Sequence, residues 1–214
     1  MAETKPDNAG DLWRLIHEHR KKVGDFLGTL TEDEWNAPSL DTGWRVRDVA
    51  AHLIQTHLIT QANLVSDWVR SGFSLKGRND LNIRRRKSMS TSDLLREYRE
   101  TSSRTSYLPG QLTYSLIEVV IHGEDIARAL HRSIDVNPEA LIKVADLARI
   151  TDPILGGKRR SAGLRLVASD VEWSGGDGPE VKGPLIAIVI AITGRKAGLE
   201  DLGGPGVETL RSRL

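Results

Sequence analysis

Residues 44–53 read Trp-Arg-Val-Arg-Asp-Val-Ala-Ala-His-Leu, and the reading of this stretch decides the fold. Val46, Val49, Ala50 and Leu53 recur at helical spacing, and the stripe continues through Ile54, Leu58, Leu64 and Trp68. A stripe of that period predicts one amphipathic helix from Val46 to about Ser71, with its apolar side turned to a core. His52 lies on this helix among apolar neighbours, so its imidazole needs a role or a partner.

The same question arises at residues 118–122, Glu-Val-Val-Ile-His, inside the most apolar helix of the chain, predicted after Pro109 from about Leu112 to Leu130. Glu118 and His122 are four residues apart and share one helix face. One reading is that they hydrogen-bond each other in a core. The other is that they are two ligands of an ion, with His52 reaching across from a facing helix as the third, since bundle cores build metal sites in that way. Two imidazoles and a carboxylate suit zinc and leave positions open for substrate. Asp48, one turn before His52, either orients that imidazole or pairs with the helix N-terminus. His57 faces elsewhere and reads as structural, and His17, His19 and His131 sit among charges as surface positions.

Working outward, residues 1–8 read as a loose tail, and Leu12, Leu15, Ile16, Val23, Phe26 and Leu27 mark a helix from about Asp11 to Leu27. Thr31 and Glu34 fit a capping box before a short helical turn carrying Trp35. Residues 72–90 read mainly as loop, and a further helix spans about Ser92 to Arg104. Asn137-Pro138 is a helix start, a capping side chain followed by proline where its missing amide is harmless, and that helix reaches about Ile150. The pattern then changes. Leu164, Leu166 and Ala168 alternate with Arg165 and Val167, Val171–Trp173 continues, and a turn-rich run follows to Pro179, predicting two or three short strands. Pro184 opens an apolar helix through Thr193, and Pro205 a last short one. The expectation is α+β: a helical bundle over 1–136 and a smaller α+β domain over 137–214.

Composition narrows the chemistry. The 214 residues are 39% hydrophobic and 28% charged with formal net charge +1, so no global field draws the chain to nucleic acid or anionic lipid. The longest apolar run, Leu185 to Ile192, is too short to span a bilayer, and the polar, acidic N-terminus lacks a signal-peptide pattern, which predicts a cytoplasmic protein. There is no cysteine, so a metal must rest on His, Asp and Glu, and any thiol must come from outside. Arg84, Arg85, Arg86 and Lys87 form one basic cluster, either a solvated face or a landing site for an anion.

Residues 44–53, preceded by Trp35 and Pro38-Ser39-Leu40, resemble the N-terminal signature of the mycothiol-dependent maleylpyruvate isomerase family, within the DinB-like superfamily of four-helix bundles. Glu118 and His122 with Gly123, Asp125, Ile126 and Ala127 resemble its second metal motif. Residues 163–168, 176–179 and Thr193-Gly194-Arg195 resemble its small C-terminal domain. The resemblance implies a DinB-like N-terminal bundle and a divalent metal, zinc by its donors, held by His52, Glu118 and His122. It also implies a catalytic or thiol-binding arginine, for which Arg195 is the candidate; the alternative for Arg195 is a cation at a helix C-terminus. The implied activity is that of a metal-dependent isomerase or S-transferase using a mycothiol-like cofactor on a small electrophile, anionic if the basic cluster or Arg195 holds it. The competing account is a non-catalytic metal or small-molecule binding protein on the same scaffold, monomeric or homodimeric. Two departures stand out. Arg45 replaces the family's capping threonine, which shifts the expected cap to Thr42. The segment 71–90 is distinctive and reads as a wall of the substrate site.

Overall fold

The structure, a computed structural model, describes residues 9–107, 112–152 and 155–214. The expected tail and Pro109 lie outside them. The chain divides into two compact units, Met1–Asp135 and Val136–Leu214.

In the first unit, α1 (Ala9–Leu27), α3 (Val46–His57), α6 (Thr91–Thr101) and α7 (Leu112–Ala127) pack as a four-helix bundle: α1 lies against α6 and α7, and α3 against the same two. Their stripes meet in one core, with Leu15, Ile16, Val23 and Leu27 from α1, Val46, Val49, Leu53 and Ile54 from α3, Leu94 and Tyr98 from α6, and Leu116, Ile117 and Val120 from α7. Gly123 sets how closely α1 and α7 approach, because a Cβ there would lie 3.1 Å from Val23 Cγ2 and 3.4 Å from His19 Nε2. The short α2 (Glu32–Asn36) starts at the expected capping box of Thr31 and Glu34 and buries Trp35.

Two expectations are corrected here. The helix expected from Val46 to Ser71 breaks after His57, and α4 (Gln61–Arg70) starts afresh at Thr60. Thr60 and Asn63 satisfy each other's backbone amides at 3.2 and 2.8 Å, while Asn63 Nδ2 donates to the Leu58 carbonyl at 2.6 Å. The apolar stripe runs on across the break, so periodicity alone does not reveal it. The stretch read as loop contains α5 (Leu75–Arg85), which packs on α3 and α4. Its sequence is polar and carries Gly77, Asn79 and Asn82, all weak helix formers. The usable signal was Ser74, whose hydroxyl accepts from the Gly77 amide at 3.1 Å.

In the second unit, α8 (Pro138–Ile150) starts where Asn137 caps it, accepting from the Glu139 amide at 3.0 Å. After α9 (Gly157–Ser161), the strands β1 (Arg165–Ala168), β2 (Ser174–Gly175) and β3 (Glu180–Gly183) form a sheet in the order β2-β1-β3. β1 runs parallel to β3, with Leu166 opposite Val181, and antiparallel to β2. Val171–Trp173 bends instead of continuing a strand. Asp170 there accepts from the Leu185 amide at 2.9 Å, capping α10 (Leu185–Ile192), and Trp173 Nε1 donates to Asp146 at 2.9 Å. α10 is buried almost throughout. With Leu164, Leu166, Val181 and Leu210 of the closing α11 (Val207–Arg211), its Ile188 and Ile192 form this unit's core.

Candidate metal centre

His52 from α3 and Glu118 with His122 from α7 converge. Both Nε2 atoms point at one carboxylate oxygen, Glu118 Oε2, at 3.0 Å from His52 and 3.3 Å from His122. The two imidazoles stand edge to face with centroids 4.8 Å apart, and one donor atom from each of the three residues lies within 4.8 Å of the others. The convergence follows from local structure. Helical spacing puts Glu118 above His122 on α7, and the α3–α7 packing brings His52 to the same level.

The surroundings order these groups. His122 Nδ1 donates to Asp125 at 2.9 Å, one turn along α7, and Asp125 is fully buried. That bond holds a proton on Nδ1 and turns Nε2 toward Glu118, an arrangement that carboxylate–histidine pairs share with metal sites. Asp41 stands 4.0 Å from the same Nδ1. Over both rings lies Trp44, stacked on His122 at 6.2 Å and tilted against His52 at 5.1 Å. Residues 37–45 hold Trp44 there as a small hairpin. Pro38 bridges Arg45, Ser39 donates its amide to the Trp44 carbonyl at 2.9 Å, and the Leu40 amide donates to the Asp125 carbonyl at 3.0 Å. Gly43, at φ +87°, makes the turn that an L side chain would strain.

Electrostatics agree with a cation-seeking site. Burial pushes the His122 imidazole down, but hydrogen bonds to Asp125 and Glu118 outweigh it and raise its pKa to about 9. Burial lowers the His52 imidazole, with only partial opposition from Glu118. Desolvation pushes the Glu118 carboxyl up, yet bonds from His122 and His52 hold it well below the usual carboxylate range. An ionised carboxylate thus gathers positive charge, and its side chain is still 33% exposed, open to an incoming ligand. Two neutral-capable imidazoles and a carboxylate aimed at one point fit a divalent cation by donor chemistry.

Other sequence readings are redistributed. Asp48 does not orient His52; its Oδ2 accepts from the Arg45 amide at 3.0 Å and Arg45 Nε at 3.1 Å, capping α3 in place of the expected Thr42. His57 is structural as expected, bonded to Thr101 at 3.0 Å. His19, expected at the surface, is buried at 3% exposure, because its position one turn before Val23 faces α7. The 84–87 cluster does not act as one patch: Arg85 pairs with Asp67 at 2.8 Å and Arg86 with Glu97 at 2.7 Å. Arg195 belongs to the second unit, following the C-terminus of α10, where its Nη1 donates to the Thr193 carbonyl at 3.0 Å. Asp41, Trp44 and Asp125 are the site residues to which sequence spacing assigned no role. The signals available were the i, i+3 step from His122 to Asp125 and the places of Trp44 and Asp125 in the two family motifs.

The family model of the mycothiol maleylpyruvate isomerase N-terminal domain matches residues 16–113. No curated protein matches the chain. Two crystal structures, of a mycothiol-dependent maleylpyruvate isomerase and of a histidine-to-alanine variant of it, are similar in fold. Each has a TM-score of 0.64 and 20% identity, over 93% of this chain and 93% of that chain. No described helix is long and apolar enough to cross a membrane. The resemblance read from residues 44–53 is therefore matched by that family model over residues 16–113, and the likeness to the two solved structures is one of fold.

Proposed function

We propose that the chain is a metal-dependent enzyme that uses a low-molecular-weight thiol, mycothiol or a close analogue, to isomerise a small electrophile or to transfer sulfur to it. The observation that carries this reading is the aim of two Nε2 atoms at one oxygen of Glu118. His52, Glu118 and His122 would hold a divalent cation, zinc by donor type, and when bound it supplies the Lewis acidity that lowers a thiol's pKa.

The chain's own residues do the rest. Asp125 holds the proton on His122 Nδ1, so that a bound cation would displace only the Nε2 proton and take the lone pair there. Trp44 covers both imidazoles and excludes water from that side of the site. Arg195 is proposed as the thiol-binding or catalytic arginine, on the strength of its Thr-Gly-Arg run. The thiolate sulfur adds to one carbon of the substrate's double bond. Rotation about the resulting single bond and expulsion of the same sulfur by the electron pair left on the neighbouring carbon restore the alkene in the other geometry. Protonation of that carbon by the proton the thiol gave up, followed by release of the adduct, instead completes a transfer. Isomerisation is favoured by the matched family and by the name of the structural relatives. The absence of cysteine fits a nucleophile supplied from outside, in a cytoplasm that keeps thiols reduced.

The test is zinc content together with mycothiol-dependent isomerisation of maleylpyruvate. The expected result is one zinc per chain and turnover that needs the thiol, with His52→Ala losing zinc and at least about a hundredfold in rate. Failure to take up zinc on reconstitution, or tight thiol binding without turnover of any electrophile, would overturn the catalytic reading.

A further inference from the structure

The hairpin of α4 and α5 has two unlike sides. Its inner side closes on α3 around a cleft beside His52, lined by Asn63, Asp67 and Arg78 among others, whose cavity volume of about 20 Å³ has room for about one water. Its outer side is apolar and exposed. Val65 and Val69, one turn apart on α4, are 63% and 61% exposed, and Phe73, just beyond the helix, is 75% exposed. The backbone holds Phe73 out. Its amide donates to the Trp68 carbonyl at 2.9 Å and the Gly72 amide to the Val69 carbonyl at 3.2 Å, the two bonds that close a helix through a left-handed glycine, here at φ +64°. An apolar residue in the place of Phe73 often folds back on the last turn of its helix. Phe73 is instead left-handed itself, at φ +61°, a costly conformation for a bulky side chain, and its ring stands in solvent. Charge is concentrated on the same hairpin. Residues 61–90 hold five arginines and two lysines against two carboxylates, Asp67 and Asp80, in a chain whose formal net charge is only +1. Asp67 is paired with Arg85, and Arg86 with Glu97 of α6, while Arg70, Arg84 and Lys87 are exposed.

We propose that the outer face of α4 and its Phe73 tip form an interfacial anchor by which the protein docks on an anionic lipid surface. Apolar side chains flanked by cations enter the boundary between lipid headgroups and acyl chains. There the ring and the valines leave water, and the cations meet the headgroup charge. Phe73 already stands clear of the hairpin, so docking needs no rearrangement of the fold. Three apolar side chains and a few cations give reversible attachment, not insertion. A second copy of the chain fits the face less well. Pairing along the stripe about a two-fold axis sets Arg70, the neighbour of Val69, against its own symmetry mate. The carboxylate of α4, Asp67, is buried and held by Arg85, so it offers that arginine no opposite charge across the pair. The anchor is separate from the metal centre and does not depend on the thiol chemistry proposed there.

The experiment sediments the full-length protein with vesicles of phosphatidylcholine alone, or of phosphatidylcholine with about one third phosphatidylglycerol, at about 0.1 M salt. Wild type, Phe73→Ser, the double variant Arg84→Gln/Lys87→Gln and Ile150→Ser are compared. Ile150, 57% exposed in the second unit, controls for nonspecific adhesion of apolar surface. All of these positions are exposed, so the substitutions leave the cores intact. Wild type and Ile150→Ser should bind the anionic vesicles alike, and bind phosphatidylcholine alone at least about tenfold more weakly. Phe73→Ser should weaken binding to the anionic vesicles roughly tenfold, and the double variant by roughly tenfold as well. Raising the salt to about 0.5 M should release the protein. No binding of wild type to the anionic vesicles, equal binding to both compositions, unchanged binding by Phe73→Ser, or an equal loss in Ile150→Ser overturns the inference. Light scattering without vesicles should give wild type and Phe73→Ser the same mass. A wild-type dimer that Phe73→Ser dissociates assigns the face to a second copy and overturns the lipid anchor.

Discussion

His19 and His122 sit a short distance apart in the first unit and answer burial in opposite ways. His122 has Asp125 and Glu118 as partners and is driven toward its cationic form. His19 has no hydrogen-bond partner among the described residues; burial, then the nearby Lys22, lowers its pKa to about 4 against weaker opposition from Glu18 and Asp135. The sign of the stability effect follows. The unfolded chain takes up this proton near pH 6.5 and the folded one only near 4, so the folded state loses ground as pH falls through that interval. The loss attributable to His19 is up to about 3 kcal/mol, complete below about pH 4, and none of it is present above about pH 7. His19→Leu should flatten the wild-type decline in urea-unfolding free energy between pH 6.5 and 4, and an unchanged slope would refute the assignment. Sequence spacing offered His19 as a surface residue because its neighbours are charged. Only the packing of α1 on α7 over Gly123 shows that its side chain turns inward.

The break between α3 and α4 is the element on which the cleft depends. A continuous helix would carry Asn63 and Asp67 straight on from His52, whereas the restart at Thr60 brings them to the cleft wall. Thr60→Ala removes the hydroxyl that accepts from the Asn63 amide. It should cost about 1 kcal/mol, with faster hydrogen exchange confined to the first turns of α4. Exchange rates in α4 equal to wild type would show that tertiary packing alone sets the restart. The strong stripes of α1, α3 and α7 and the proline-marked starts of α8 and α10 were legible in the sequence because each carries a long apolar period or a cap of standard chemistry. α5 was not, because its place comes from packing on α3 and α4 rather than from propensity. The bend at residues 171–173 escaped notice for a similar reason: Asp170 leaves the strand to cap α10, a partner fifteen positions away in sequence.

For the whole molecule, a metal held between α3 and α7 would join helices that are 66 residues apart at His52 and Glu118. A ligand bound only by the folded state stabilises it by mass action, about 2.7 kcal/mol at a hundredfold excess over Kd. Adding zinc to chelator-treated protein should therefore raise the melting temperature by about 5–10 °C for a chain of this length, and EDTA should reverse the rise. His52→Ala should show no rise, and a rise of equal size in that variant would place the ion elsewhere.

The sequence alone determined the α+β class and the helices with long apolar periods, because each is a matter of local periodicity and residue chemistry. The set His52, Glu118 and His122 was what the family resemblance implied, and the packing of α3 on α7 is what brings it together. Which oxygen both imidazoles address, which carboxylate holds the His122 proton and which arginine faces the cleft were decided by tertiary packing alone. Those outcomes depend on distances between side chains brought together from separate helices, and spacing along one chain carries no measure of them.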